Sequence, residues 1–254
     1  MRAPKYAFNQ KRTRECGQKK GNRRNHHMPK TYFITGTDTG VGKTTACCAI
    51  LAKAKSQNLK TIALKPIAAG CEQTLEGLRN DDALALMAEM TEPLSYDEVN
   101  PIALLAPLSP HLAAAQAGRR LTMNQIVGFC RGALSRRVDL ALVEGAGGWR
   151  VPISDRELFS ELPRQLRLPV ILVVGLRLGC INHAILTAES IARDGLRTVA
   201  WVGSVLDPDP ELLQGNIDTL TRMLPYPCLG ILPWLPGAPA SQLAEALDIS
   251  PLLG

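Results

Sequence analysis

The chain has 254 residues, 46% of them apolar, only 4% aromatic and 20% charged. That balance places it among soluble globular proteins, and so few aromatics call for a core of Leu, Ile, Val and Ala, which suits helices packed on a parallel sheet. The formal charge of +6 belongs to a tail: residues 1–27 carry nine Lys or Arg against one acid, Glu15, and the remainder holds 20 basic and 22 acidic residues.

Residues 1–27 show no hydrophobic periodicity, no signal-type apolar stretch and no Ser. They read as a disordered basic extension before Met28-Pro29-Lys30; a nucleic-acid-binding arm is the weaker reading. Residues 28–254 read as one domain. Short aliphatic runs at 32–35, 61–65, 140–143, 170–174, 198–204 and 228–232 predict buried strands. Helical spacing covers 44–56, 82–90, 125–136, 182–194 and 210–223. Strand–helix alternation predicts a doubly wound, mostly parallel α/β sheet.

Residues 100–118 predict a proline-broken loop followed by a short Ala-rich helix, with Ser109 as N-cap and Pro110 at the first helical position. Small side chains there leave room for an aliphatic ligand, though an ordinary crossover fits equally well. The seven Cys include no C-x-x-C pair, so reduced thiols in a cytoplasmic protein are expected. No apolar run approaches the ~20 residues that cross a bilayer.

Gly36-Thr37-Asp38-Thr39-Gly40-Val41-Gly42-Lys43-Thr44-Thr45 follows a predicted strand and opens a predicted helix. Glycines there let backbone N–H groups turn onto phosphate oxygens, and the helix N-terminus adds partial positive charge. Lys43 is placed to reach terminal phosphates and Thr44 to bind Mg2+. The usual spacing wants Gly or Ala where Thr37 stands, with Gly36 one step too early.

Mg2+ takes oxygen ligands, so carboxylates are sought nearby. Glu144 ends a strand and precedes Gly145-Ala146-Gly147-Gly148; strand C-termini share one edge of a parallel sheet, which aims it at the loop. Asp82 stands at a helix start, where it serves either as a ligand or only as a favourable N-terminal charge. Lys65, before Pro66, faces the same edge, with a surface-seeking Lys as the plainer reading. His111 reads as a hydrogen-bonding residue at a helix start rather than as a base.

These residues resemble one family. The loop, with its one-residue departure, is similar to that of dethiobiotin synthases. So are Lys65-Pro66 with Gly70, Gly77-Leu78-Arg79-Asn80-x-Asp82, Asn100-Pro101, Ser109-Pro110-His111 and Glu144 to Trp149, in order and at matching spacing. Residues 169–175, Leu178-Gly179-Cys180-Ile181-Asn182-His183 and Pro233-Trp234-Leu235 extend the resemblance over about residues 30–236.

The resemblance implies ring closure of 7,8-diaminopelargonate with CO2, driven by ATP, through a carbamate and a carbamic-phosphoric anhydride. It implies Lys65, Lys43 and Thr39 near the reacting groups, and Thr44, Asp82 and Glu144 around Mg2+. The nucleotide would lie on Gly40, Val41, Gly42, Lys43, Thr44, Thr45, Gly145, Ala146 and Gly147, with Ser204, Pro233, Trp234 and Leu235 towards its base. Substrate would meet Thr39, Lys65 and Ala69. Leu178, Gly179, Cys180, Ile181 and Asn182 would receive its carboxylate from a second subunit of a homodimer.

Three positions depart from the family pattern. Gly40 replaces a frequent Glu, Ala69 a frequent Ser, and Ser204 an expected base-reading Asn. The last leaves base preference open, with ATP the default and CTP an alternative. A nucleotide-dependent switch or partitioning ATPase is the rival class. It calls for a second lysine early in the loop, where this chain has Thr37-Asp38-Thr39.

Overall fold

A computed structural model describes residues 30–206 and 210–254. The basic extension expected over residues 1–27 lies outside them.

In chain order the elements are β1 (Lys30–Gly36), α1 (Lys43–Ser56), β2 (Thr61–Leu64), β3 (Ile67–Ala69), β4 (Glu72–Thr74), β5 (Gly77–Arg79), α2 (Asp81–Glu89), α3 (Tyr96–Val99), β6 (Ile102–Leu104) and α4 (Pro110–Gln116). There follow α5 (Met123–Ala133), β7 (Leu140–Glu144), α6 (Glu161–Leu166), β8 (Val170–Leu176), α7 (Cys180–Arg193), β9 (Thr198–Val205), α8 (Pro210–Met223), β10 (Cys228–Leu232), α9 (Ala240–Ala244) and α10 (Ser250–Leu253).

The central sheet has six strands in the order β10-β9-β8-β1-β7-β2, every pairing parallel. β7 and β8 are wholly buried, aliphatic throughout except for Glu144 at the end of β7 and Gly175 in β8, as strands covered on both faces must be. Alternation along β1 divides the core: Phe33 packs with Trp149 and Phe159, whereas Tyr32 and Ile34 join the cluster beneath α1. Phe33 meets both partners edge-on, with ring centroids 6.1 and 6.0 Å away. The C-terminal segment docks beside β1, where the Tyr32 hydroxyl donates to the Leu252 carbonyl at 2.7 Å.

Two small sheets were not predicted. β3 pairs with β6 in parallel and β4 with β5 in antiparallel. The 100–118 segment is therefore not all loop before its helix, since Ile102–Leu104 is a strand. Pro110 opens α4 as expected, but the Ser109 side chain makes no capping bond. The His111 Nδ1 is buried with no partner among the described residues. Helix α7 begins at Cys180, two residues before the expected start, with left-handed Gly179 as N-cap.

The six described cysteines are free. Burial pushes the Cys48 and Cys130 thiols up to about 12, which suits packing rather than reaction. Among the described residues no helix is long and apolar enough to cross a membrane.

Candidate active site

Parallel register assembles the site. β1 lies between β7 and β8 and carries the glycine-rich loop at its C-terminal end. Ile34 pairs with Glu144, the Gly145 N–H donates to the Ile34 carbonyl at 2.9 Å, and the Thr37 N–H donates to the Val173 carbonyl at 3.0 Å. On the other side of β7, Leu64 pairs with Val143, so Lys65 emerges beside Glu144.

The loop needs its glycine at 42. That residue has φ 84°, and a Cβ there would overlap the Ser204 hydroxyl. Lys43 opens α1 and donates to the Asp38 carbonyl at 3.0 Å. Asp38 also accepts from the Thr39 N–H at 2.7 Å and from Arg177 at 3.0 Å, tying the crest of the loop to the end of β8. Burial, then the neighbouring Lys65 ammonium, lower Lys43 to about 8 against the opposing pull of Glu144 and Asp82.

Lys65 is the hub. Its Nζ lies 2.5 Å from Glu144 Oε1 and 2.9 Å from Asp82 Oδ2, and the Thr44 hydroxyl donates to the same Glu144 oxygen at 2.9 Å. Burial works against the Lys65 charge, but the two carboxylates outweigh it and hold its pKa above the ordinary lysine value. For Asp82 burial is likewise outweighed, by Lys65 and then by the Thr44 hydroxyl and Lys43, and its carboxyl sits below the ordinary range. The Asn80 side chain accepts from the Ala83 N–H, capping α2 and setting Asp82 in its first turn.

A cavity of about 790 Å³ holds these groups at one end and apolar side chains such as Ile67, Pro107, Leu108 and Val151 along its walls. Thr39, Gly40, Gly42, Lys43, Thr44, Thr45, Lys65, Ala69, Asp82, Glu144, Ala146 and Gly147 all line it. Val41 and Gly145 are buried beneath the loop, outside the lining. Ser204 is buried against Gly42, and β10 pairing sets Leu232 beside it, so the exposed Pro233, Trp234 and Leu235 emerge at the same sheet edge. Leu178, Gly179, Cys180, Ile181 and Asn182 do not line the cavity of this subunit, and Leu178 is 81% exposed.

Three residues that shape the site, Asn100, Arg177 and Trp149, had no role legible in the sequence. Buried Asn100 donates from Nδ2 to the Lys65 carbonyl at 2.6 Å. Asn beside Pro101 was a weak cue, because its partner lies 35 positions away. Arg177, directly before the Leu178 segment, was legible only as a surface charge. Trp149 anchors the loop after β7 through its indole N–H to Asp194 at 2.9 Å.

The oxygens of Thr44, Asp82 and Glu144 form a hard donor set that fits Mg2+. Glu144 Oε2 supports that fit, being buried without a partner among the described residues.

A family model described as an AAA domain matches residues 30–241. The chain is 54% identical over 230 residues to the ATP-dependent dethiobiotin synthetase BioD of Marinobacter nauticus, covering 88% of this chain and 97% of that protein. It is 53% identical over 224 residues to the protein of the same name from Cellvibrio japonicus, covering 88% and 98%. Among solved structures, MinC:MinD from Aquifex aeolicus superposes with a TM-score of 0.53 at 15% identity, covering 84% of this chain and 91% of that one. The signal recognition particle receptor FtsY of Elizabethkingia anophelis gives 0.50 at 16%, covering 91% and 67%. At such identities these two show a shared phosphate-loop fold and nothing more.

Proposed function

The chain belongs to the family of ATP-dependent dethiobiotin synthetases, and on that premise we propose how its own residues serve the reaction. The enzyme converts 7,8-diaminopelargonate, CO2 and ATP into dethiobiotin. One substrate amine captures CO2 as a carbamate, and a carbamate oxygen attacks the γ-phosphorus as ADP leaves. The second amine then attacks the carbonyl carbon of the mixed anhydride, phosphate departs, and the cyclic urea closes. Negative charge gathers on phosphoryl and carbamate oxygens throughout, so cations and N–H groups matter more than a nucleophile.

Lys43 and the loop N–H groups from Gly40 to Thr45 hold the triphosphate. Thr39 and Lys65 meet the carbamate and the transferred phosphoryl group. Thr44, Asp82 and Glu144 hold Mg2+, which when bound neutralises triphosphate oxygens. Gly145, Ala146 and Gly147 border the nucleotide. Ser204, Pro233, Trp234 and Leu235 lie towards its base, where the small Ser204 hydroxyl leaves CTP a usable alternative to ATP. Ala69 and the apolar wall take the aliphatic chain of the substrate. Leu178, Gly179, Cys180, Ile181 and Asn182 reach its carboxylate from a second copy, so the working form is a homodimer of one-domain subunits (residues 28–254) in the cytoplasm.

The observation supporting these roles is the meeting of Lys43, Lys65, Thr44, Asp82 and Glu144 in one cavity whose lining also includes Ile67, Ala68, Ala69, Pro107, Leu108 and Val151. The test supplies 7,8-diaminopelargonate, bicarbonate, Mg2+ and ATP or CTP, follows phosphate release, and detects the cyclic urea by mass. Nucleotide hydrolysis that ignores the diamine, with no urea formed, would refute this reading.

A further inference from the structure

Resting on the cation site just proposed, we infer that Lys65 and a divalent cation compete for the same oxygens of Glu144 and Asp82, so that cation uptake and release of Lys65 into the cavity are one event. The Lys65 ammonium lies 2.5 Å from Glu144 Oε1, 2.9 Å from Asp82 Oδ2 and 3.5 Å from the Gly145 carbonyl. The Thr44 hydroxyl is bonded to the same Glu144 oxygen at 2.9 Å. The oxygens suited to a divalent ion thus already converge on one positive charge.

Two cations cannot share that point. Lys65 is 6% exposed and Glu144 only 1%, so on that side an ammonium and an arriving metal ion are screened less than in open water, although the Asp82 side chain keeps 44% of its exposure. An arriving ion that takes both carboxylates therefore removes the attraction holding Lys65 and adds a repulsion. Glu144 Oε2, buried and without a partner among the described residues, is one acceptor the ammonium leaves unused.

The backbone at Lys65 is fixed, so the exchange belongs to the side chain alone. The Lys65 N–H donates to the Val99 carbonyl at 2.8 Å, and its own carbonyl accepts from Asn100 at 2.6 Å. The adjoining cavity wall carries the small side chains of Ala68 and Ala69, which leave room for a displaced lysine. Lys65 is withheld from the carbamate until the site is loaded, and this orders nucleotide–metal binding before chemistry.

The test measures Mn2+ binding without nucleotide, by the electron paramagnetic resonance signal of the free ion, for wild type, Lys65→Met and Lys43→Met. Removing the occupant should tighten Mn2+ binding about tenfold or more, whereas Lys43→Met, which removes only a nearby charge, should change it by less than about threefold. Equal tightening in both variants, or none in Lys65→Met, overturns the exchange while the metal site stands. Absence of any saturable Mn2+ binding in folded Lys65→Met removes the metal site and the exchange together. Should Lys65→Met fail to fold, the wild type still decides, through acetylation mapped by mass spectrometry with and without saturating Mg2+ alone. Lys65 labelling should rise about fivefold while exposed Lys60 stays constant; an unchanged Lys65 rate overturns the inference.

Discussion

Asn100 Nδ2 donates to the Lys65 carbonyl oxygen at 2.6 Å, so a residue at the end of α3 fixes the turn that presents the central lysine of the site. Both groups are buried. Asn100→Ala leaves that carbonyl without this donor, at a cost of about 1–3 kcal/mol. Urea denaturation should register the loss, and kcat should fall about tenfold with the KM for ATP nearly unchanged. A variant with normal kcat would separate the turn from catalysis.

Lys65→Met should eliminate the cyclic urea. It should also destabilise the fold, because Glu144 and Asp82 lose their buried cation. Removing one partner of a buried pair costs roughly 3–5 kcal/mol, and the partial exposure of Asp82 favours the lower end. Product mass and a thermal melt read the two effects separately; retained turnover would discard the catalytic role.

Nucleotide binding should take up protons in mild alkali. Burial and Lys65 hold Lys43 near 8, below its ordinary value, so the free protein loses that proton as pH rises through 8. Triphosphate favours the charged form and raises the pKa, so binding at pH 8.5 should absorb a fraction of a proton and at pH 6.5 almost none from this group. Titration calorimetry in buffers of differing ionisation enthalpy, without divalent metal, measures the number. Proton release at pH 8.5 contradicts the assignment.

Leu178, just before α7, and Leu186, within it, expose 81% and 56% of their surface. If this face meets a second copy, replacing both with Asp buries charge at the contact and should yield monomers in sedimentation velocity. The monomer should bind ATP but show a much raised KM for the diamine. A dimer that survives the double substitution places the interface elsewhere.

Deleting residues 1–27 should leave turnover within about twofold, because every assigned site residue lies at or beyond Thr39 and such charge runs are usually solvated. Retention on DNA at low salt, compared before and after deletion, locates any nucleic-acid affinity. Loss of turnover on deletion would give the extension a role in the enzyme.

The six central strands were legible because each carries a short, mostly apolar run, unbroken and wholly buried in β8 and interrupted by Thr, Gly or Ser in β1, β9 and β10. β3 to β6 were not. Each has three residues, too few to show a period, and β4 is a polar Glu-Gln-Thr run that looks like loop. The start of α7 was misplaced because a left-handed Gly179 caps it, while the more obvious polar residue is Asn182.

By itself the sequence determined the phosphate loop, the α/β class, the family, and the presence of charged side chains just past aliphatic strands. Those signals are local, carried by glycine spacing and by apolar runs. Only the tertiary structure decided that Lys65 touches Glu144 across 79 positions and that Thr44 touches it across 100. Such meetings depend on β7 entering between β1 and β2, and strand order is settled by packing of the whole sheet rather than by any segment's own pattern.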